Sequence, residues 1–333
     1  MKVAVLGATG AVGRTMLKVL EERRFPVDEL VPLASARSAG VHLGWAGREW
    51  EVRVPSAAAF ERCDIALFSA GAERSREWAP VAAAAGAVVI DNSSAWRMHA
   101  DVPLVVPEVN AEAAAQRGLG IIANPNCATI QLVMALAALH RASPLRRVVV
   151  TTLQSVSGAG QNGIAALRSE LGGARAESPF VDRIAGNVIP WIGARADDGW
   201  NEEEQKIRDE TRKILGLPSL PVAATCVRVP VETGHSISAT VELTAPLSLD
   251  AARDALVAMP GVRVHDAGQD PLPRDIAGSD AVCVGRLRRD PDLPNVLHMW
   301  IVADNLRKGA ATNAIQIAEV LDSAGLQREA QHV

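Results

Sequence analysis

A short apolar run at residues 2–6, KVAVL, passes directly into Gly7-Ala8-Thr9-Gly10-Ala11-Val12-Gly13. Those seven residues in turn open a helical pattern carrying Val12, Met16, Leu17, Val19 and Leu20. A strand that feeds a glycine turn and then a helix is the first crossover unit of a dinucleotide-binding fold. The glycines allow a tight turn and the close approach of a pyrophosphate, whose charge is met by amide N–H groups at the helix N-terminus. The spacing is GxxGxxG, a variant of the dinucleotide fingerprint. A glycine-rich turn with no ligand would share the spacing, but the agreement of strand, glycines and helix favours a nucleotide.

Further short apolar runs lie at residues 30–34, 65–69, 88–90, 104–106 and 120–123, each bounded by turn residues. Such runs suit strands buried on both faces, and their alternation with helical stretches predicts a parallel, doubly wound sheet. Right-handed crossovers then gather ligands at the C-terminal ends of the strands. After Asn124 the texture changes. A helix is expected over 127–140, with Ile130, Val133, Met134, Ala137 and Leu139 on a largely apolar face. Ile237, Ala239, Val241 and Leu243 alternate with polar residues; Val296, His298, Trp300 and Val302 oppose Leu297, Met299 and Ile301. These read as antiparallel strands of a second sheet, with helices at 158–171, 202–215 and 249–259. Residues 172–200, rich in Gly, Ala and Pro, form a long excursion of functional or interfacial character. A final helix covers about 309–324. The expected fold class is α/β: a Rossmann-type domain of residues 1–127 and 310–333, plus a second α/β domain with a mixed sheet at 128–309.

Composition removes several function classes. The chain has 333 residues, 48% hydrophobic and 22% charged, enough for a large core and more than one domain. No apolar run approaches the length of a membrane span, and the first residues lack the charged-then-apolar order of a signal peptide. Lys and Arg number 34 against 38 Asp and Glu, a net charge of −4, so neither nucleic acid nor a membrane is an expected partner. Cys63, Cys127, Cys226 and Cys283 are too few and too scattered for a disulfide scaffold or a metal knuckle, and no metal site is expected. What remains is a soluble, intracellular α/β protein, expected to be an enzyme of the cytoplasm.

The second strand addresses which dinucleotide binds. It ends in Ser35-Ala36-Arg37-Ser38-Ala39-Gly40, where an NAD-selective site usually places an acid against the ribose 2′-hydroxyl. Arg37 can pair with a 2′-phosphate and Ser35 and Ser38 can donate hydrogen bonds, which favours NADP over NAD.

Asn124-Pro125-Asn126-Cys127-Ala128-Thr129 closes a strand and starts a helix. A cysteine there meets unpaired amides and the helix dipole, which stabilise a thiolate, and the same amides could hold an oxyanion. Taken alone, Cys127 is as well read as a packed structural cysteine. Cys63, Cys226 and Cys283 lie within or beside apolar runs and read as packing. A nucleotide site plus a thiolate narrows the chemistry to an aldehyde dehydrogenase. The sulfur adds to a carbonyl, hydride moves to or from nicotinamide, and a thioester is the intermediate. Water would release an acid and phosphate an acyl phosphate; either needs an acid/base for the thiohemiacetal proton.

At this point the residues resemble the aspartate-semialdehyde dehydrogenase family over essentially the whole chain. The resemblance is carried by residues 7–13 and 35–40, Asp91-Asn92-Ser93-Ser94-Ala95-Trp96-Arg97, Pro107-Glu108-Val109-Asn110 and residues 124–127. It continues through Gln154-Ser155-Val156-Ser157-Gly158-Ala159-Gly160, residues 184–190 and 202–206, Cys226-Val227-Arg228-Val229-Pro230, Gly234-His235-Ser236 and residues 304–319. It implies that Cys127 is the nucleophile, that Gln154 orients the acyl-enzyme and that His235 takes and returns the thiohemiacetal proton. Arg228 would bind the substrate carboxylate and Glu203 would face its amino group, while Arg97, Asn126 and Lys206 would bind phosphate. NADP would contact Gly7, Thr9, Gly10, Ala11, Val12, Gly13, Ser35, Arg37 and Ser38, together with Ser157, Gly158 and Asn305.

The residue chemistry agrees: Arg228 offers a planar fork for a carboxylate, and Glu203 and Lys206, three apart, share a helix face. From spacing alone that pair reads as a surface ion pair. His42, His99, His140, His265 and His298 belong to no motif and read as structural. Leu153, Gly186 and Trp96 depart from the family pattern, at positions that read as packing.

The implied reaction is reversible, phosphate-dependent reduction of 4-phospho-L-aspartate to L-aspartate 4-semialdehyde by NADPH. It would supply lysine, threonine, methionine and diaminopimelate synthesis in a homodimer or a dimer of dimers. The second domain would be catalytic and dimerising, with its sheet and residues 172–200 at the contact. Two other readings are an N-acetyl-gamma-glutamyl-phosphate reductase, against which Glu203 and the Asn-Pro-Asn-Cys context speak, and a non-catalytic nucleotide-binding paralogue.

Overall fold

The computed structural model describes residues 1–174 and 177–325. Residues 175–176 of the excursion and 326–333 of the C-terminal return lie outside the described residues. The chain divides into two compact units, Met1–Pro125 with Ala310–Val333, and Asn126–Gly309.

In the first unit, β1 (Lys2–Leu6), β2 (Glu29–Leu33), a hairpin of β3 (His42–Trp45) and β4 (Arg48–Glu51), β5 (Ile65–Phe68), β6 (Val88–Asp91) and β7 (Ile121–Ala123) follow in chain order. The main sheet runs β2-β1-β5-β6-β7 and every pairing in it is parallel. Its strands are buried almost throughout, which explains why they read as continuous apolar runs rather than alternations. Val3, Val5, Ile65, Leu67 and Ile90 share one core with Met16 and Leu20 of the helix Ala11–Glu22 and with Ile315 and Leu321 of the returning helix Thr312–Ser323.

The apolar run at 104–106 is not a strand. Only an isolated bridge joins Leu104 to Ala123, because Pro103 and Pro107 flank the run and neither can donate to a ladder. The final helix also begins later than its apolar pattern, at Thr312, after a π-helical turn over Arg307–Ala311. Trp96 fills its position by donating Nε1–H to Ser75 Oγ at 3.1 Å.

The second unit carries β8 (Leu145–Gln154), β9 (Val222–Arg228), β10 (His235–Leu243), β11 (Val262–Val264), β12 (Val282–Arg289) and β13 (Val296–Ala303). The sheet order is β11-β12-β13-β10-β8-β9. It is mixed: β12, β13, β10 and β8 pair antiparallel, while β11 and β9 join the edges in parallel. Ile237, Ala239 and Val241 sit opposite Ile301, Met299 and Leu297, so that face of both strands is the buried one. The helix Cys127–Ala142 packs on this sheet and against the helices Glu202–Leu215 and Leu249–Val257. Every residue from Ala128 to Leu139 in it is buried, as its nearly all-round apolar sequence requires.

The helix Glu202–Leu215 is closed at both ends. Asn201 and Glu204 form a reciprocal capping box, and Gly216 ends the helix in the left-handed conformation at φ 66°. The excursion at 172–200 is irregular among its described residues and is held down by Glu170, whose Oε2 accepts the amides of Ile184 and Ala185 at 2.8 Å. Gly186 in it has φ +74°, a conformation in which a large side chain would be strained.

Candidate active site

The topology of the second sheet assembles one set of side chains at one edge. β8 and β9 run parallel in a register that ends with Gln154 beside Arg228. β10 runs antiparallel to β8 and begins with His235, so its first residue meets the end of β8. Gly234, at φ +96°, makes the turn into β10.

Cys127 is the first residue of its helix. Asn126 caps that helix, with Oδ1 accepting the amides of Ala128 at 2.9 Å and Thr129 at 3.3 Å. Those two amides are therefore engaged, and the expectation that they receive an oxyanion is not met. The dipole of the helix still bears on the sulfur. Asn126 Nδ2 donates to Glu203 Oε1 at 2.7 Å, and the Asn126 amide donates to Glu210 Oε2 at 2.6 Å. The side chain expected to bind phosphate is thus first a helix cap, with one Nδ2 hydrogen left for an anion.

Cys127 Sγ lies 3.1 Å from His235 Nε2. His235 is fully buried; burial, and then the Arg228 guanidinium, hold its pKa well below 6.5, which keeps the ring neutral. Its Nδ1 faces Ser155, whose amide donates to it at 3.1 Å, and Gln131 Nε2 donates to its carbonyl at 3.3 Å. By contrast, burial raises the Cys63 thiol to about 11 and pushes the Cys226 and Cys283 thiols up as well. Such thiols stay protonated and inert, in keeping with a packing role.

Arg228 is buried and donates Nη1–H to the Ser155 carbonyl at 2.6 Å. It borders a cavity of about 350 Å³ lined by Phe180, Val181, Ile189 and Trp191 among others. Burial lowers its pKa while the Glu203 carboxylate raises it. A Cβ on Gly158 would come within 2.8 Å of Arg228 Nη1 and 3.4 Å of His235 Cε1, so the absent side chain leaves the room these groups occupy. Glu203 is 7% exposed, so the surface-pair reading of Glu203 and Lys206 fails on burial although the pair exists. Lys206 Nζ lies 3.3 Å from Glu203 Oε2 and 2.7 Å from Glu202 Oε1.

The unit Asn126–Gly309 thus holds Cys127, Gln154, His235, Arg228, Glu203, Lys206 and Asn126. Ser157 and Asn305 are bound to each other there, Asn305 Nδ2 donating to Ser157 Oγ at 2.9 Å. Arg97 belongs to the first unit, where its guanidinium donates to the carbonyls of Asn124 at 3.0 Å and Asn92 at 2.7 Å.

The remaining cofactor candidates also lie in the first unit, and their geometry fits a dinucleotide. The helix Ala11–Glu22 has no side-chain cap, so its first amides are open to an anion. A Cβ on Gly7 would come within 2.7 Å of the Ser69 carbonyl oxygen, and one on Gly13 within 2.1 Å of the Gly7 carbonyl oxygen. Only glycines let the turn close this tightly. Ser35, Arg37 and Ser38 follow β2, with Arg37 exposed and Ser38 Oγ accepting from Thr9 Oγ1 at 3.5 Å.

Residue-by-residue reading missed Ser155 and Glu210. Ser155 adjoins Gln154 in a segment already singled out, yet its role depends on a strand pairing. Glu210 had a visible signal. Glu203, Ile207, Glu210, Thr211 and Ile214 fall at helical spacing on one buried stripe, and acids on such a stripe must have partners.

Two family profiles match the chain: "Semialdehyde dehydrogenase, NAD binding domain" over residues 2–117 and "Semialdehyde dehydrogenase, dimerisation domain" over residues 136–308. The aspartate-semialdehyde dehydrogenase of Aquifex aeolicus is 51% identical, over 98% of this chain and 99% of its own. Among solved structures, the aspartate semialdehyde dehydrogenase II of Vibrio cholerae complexed with ASA matches at 49% identity and a TM-score of 0.94, covering 97% and 98% of the two chains. The enzyme of Candida albicans with NADP matches at 25% identity and a TM-score of 0.77, covering 98% and 99%.

Proposed function

The chain belongs to the aspartate-semialdehyde dehydrogenase family, and we propose that Cys127 is the nucleophile of its reaction. That reaction is the reversible reduction of 4-phospho-L-aspartate to L-aspartate 4-semialdehyde and phosphate, with NADP as cofactor and a homodimer as the assembly. The semialdehyde supplies lysine, threonine, methionine and diaminopimelate synthesis.

The observation that carries the proposal is the 3.1 Å contact between Cys127 Sγ and His235 Nε2 at the start of a buried helix. The thiolate of Cys127 attacks the acyl carbon and displaces phosphate, which leaves a thioester on the sulfur. NADPH, when bound, supplies the hydride that reduces the acyl group. His235 takes and returns the proton of the thiohemiacetal oxygen. Gln154, at the end of β8, orients the acyl group. Arg228 binds the substrate carboxylate as a planar fork, and Glu203, already linked to Asn126, faces the ammonium. Lys206, Asn126 and Arg97 serve the phosphate.

Gly7, Thr9, Gly10, Ala11, Val12 and Gly13 would hold the pyrophosphate, Arg37 with Ser35 and Ser38 the 2′-phosphate, and Ser157, Gly158 and Asn305 the nicotinamide end. We place the NADP-binding domain at residues 1–127 and 310–333 and the catalytic and dimerisation domain at 128–309. Among the described residues no helix is long and apolar enough to cross a membrane. A cytoplasmic location fits the proposed biosynthetic role.

NADPH formation from L-aspartate 4-semialdehyde, with and without phosphate, tests this reading. Dependence on phosphate or arsenate is expected, and indifference to both would refute the acyl-phosphate route. The N-acetylated glutamate analogue, which brings no ammonium for Glu203, is expected to be a poor substrate.

A further inference from the structure

We propose that Asn92 belongs to the cofactor site, where its side-chain Nδ2 donates a hydrogen bond to the carboxamide oxygen of the nicotinamide. The inference rests on NADP as the cofactor and is independent of the chemistry at Cys127.

Three carboxamides form a directed chain within the unit Met1–Pro125 with Ala310–Val333. Asn313, in the helix Thr312–Ser323, uses Nδ2 to donate to the Val105 carbonyl at 2.9 Å and to Asn124 Oδ1 at 2.7 Å. Asn124 Nδ2 donates in turn to the Ala310 carbonyl at 3.2 Å and to Asn92 Oδ1. A backbone carbonyl only accepts, so Val105 and Ala310 settle which end of Asn313 and of Asn124 carries the hydrogens. Asn92 must then present its oxygen to Asn124 and its Nδ2 in the other direction.

That Nδ2 is buried and has no hydrogen-bond partner among the described residues. Every other polar atom of Asn92 is engaged. Its amide donates to the Phe68 carbonyl of β5 at 2.9 Å, its carbonyl accepts from Arg97 Nη2 at 2.7 Å, and Oδ1 accepts from Asn124. The side chain cannot turn to find a partner without breaking the chain behind it. A donor that is buried, held and unpaired is costly, and a ligand oxygen that meets it recovers the cost. The hydrogen bonds behind it polarise the carboxamide in one sense and strengthen its N–H as a donor. Asn313 and Asn124 are fully buried whereas Asn92 keeps part of its surface exposed, so the chain runs from the core outward.

Its place in the sheet identifies the ligand oxygen. Asn92 is the residue after β6, at the C-terminal edge of the parallel strands where ligands of this fold collect. The strand order β2-β1-β5-β6-β7 sets a direction across that edge. Arg37 follows β2 and the glycine turn follows β1, so the 2′-phosphate and the pyrophosphate would lie over those two strands. β6 stands two strand spacings beyond β1, about 10 Å, on the side away from β2. A dinucleotide laid along this edge brings its nicotinamide half over β5 and β6. The carboxamide of that ring carries an acceptor oxygen for Asn92, and a donor held this firmly fixes the orientation of the ring to which the carboxamide is attached.

The test is equilibrium binding to the full-length enzyme by isothermal titration calorimetry, which needs no turnover. The ligands are NADP and 2′-phospho-ADP-ribose, the same molecule without its nicotinamide. In Asn92→Ala the Kd for NADP is expected to rise about 5- to 10-fold, the worth of one hydrogen bond, while the Kd for 2′-phospho-ADP-ribose stays within about 2-fold. Asn92→Asp is isosteric and keeps an oxygen for Asn124 but exchanges the donor for an acceptor; it should show the same split, which a packing effect of the smaller alanine would not produce. Retained binding of 2′-phospho-ADP-ribose also reports that both variants are folded. Equal losses for the two ligands would reduce Asn92 to a structural role, and no loss for either would show that it meets no part of the cofactor; each result overturns the proposal. A parent enzyme that binds no NADP would overturn the cofactor reading itself, and the proposal with it.

Discussion

Cys127 and His235 are 108 positions apart in sequence, yet Sγ and Nε2 stand 3.1 Å from each other. Two separate devices bring them there: a helix that starts at Cys127 under an Asn126 cap, and a strand that starts at His235 after the Gly234 turn. His235→Asn removes the acid/base but leaves the helix start intact. Its kcat is expected to fall about 100- to 1,000-fold, typical of losing a general acid/base, with thermal stability near that of the parent at pH 7.5. Steady-state kinetics beside a melting curve checks both parts.

The depressed pKa of His235 has a consequence for stability. In the unfolded chain the ring takes up a proton as pH falls through its ordinary value near 6.5, whereas the buried ring does not. The unfolded state then binds more protons, so stability declines as pH drops below about 6.5 toward the folded-state value. Replacing His235 by Asn removes this contribution. The loss of Tm between pH 7.5 and pH 5.5 is expected to be smaller in His235→Asn than in the parent; an equal loss would contradict it.

Gly158 separates function from folding. A Cβ there would crowd Arg228 Nη1 at 2.8 Å, the far end of a long side chain that can yield without disturbing the core. Gly158→Ala is therefore expected to raise KM for the semialdehyde about 10-fold, the weakening of one charge-assisted fork, while Tm changes little. A fall in Tm with unchanged KM would show that the position matters for packing instead.

Arg37 follows β2 with its side chain exposed, and no acid stands in the Ser35–Gly40 turn to meet a ribose hydroxyl. Arg37→Glu should raise KM for NADP by about 10-fold or more, through loss of a charge-assisted pair and gain of repulsion, and should alter KM for NAD far less. Equal effects on the two cofactors would refute its role.

Much of this architecture is legible from residues 2–22, where apolar run, glycines and helical period agree, and from the alternation at Ile237, Ala239 and Val241. The run at 104–106 misleads because a strand also needs donors, and Pro103 and Pro107 withhold them. Cys127 was visible through its place at a helix start, but the use of the Ala128 and Thr129 amides by Asn126 was not, since a cap and an oxyanion compete for the same donors. Ser155 was out of reach for another reason: its role rests on the pairing of β8 with β10, which sets two backbone segments side by side.

In the proposed reaction the acyl group passes through the sulfur of Cys127. The direct measurement is intact-protein and peptide mass spectrometry after mixing the enzyme with 4-phospho-L-aspartate in the absence of NADPH. One aspartyl adduct per chain is expected, on the peptide containing Cys127, discharged by NADPH and absent in Cys127→Ala. An adduct on any other residue, or turnover retained by Cys127→Ala, would contradict it.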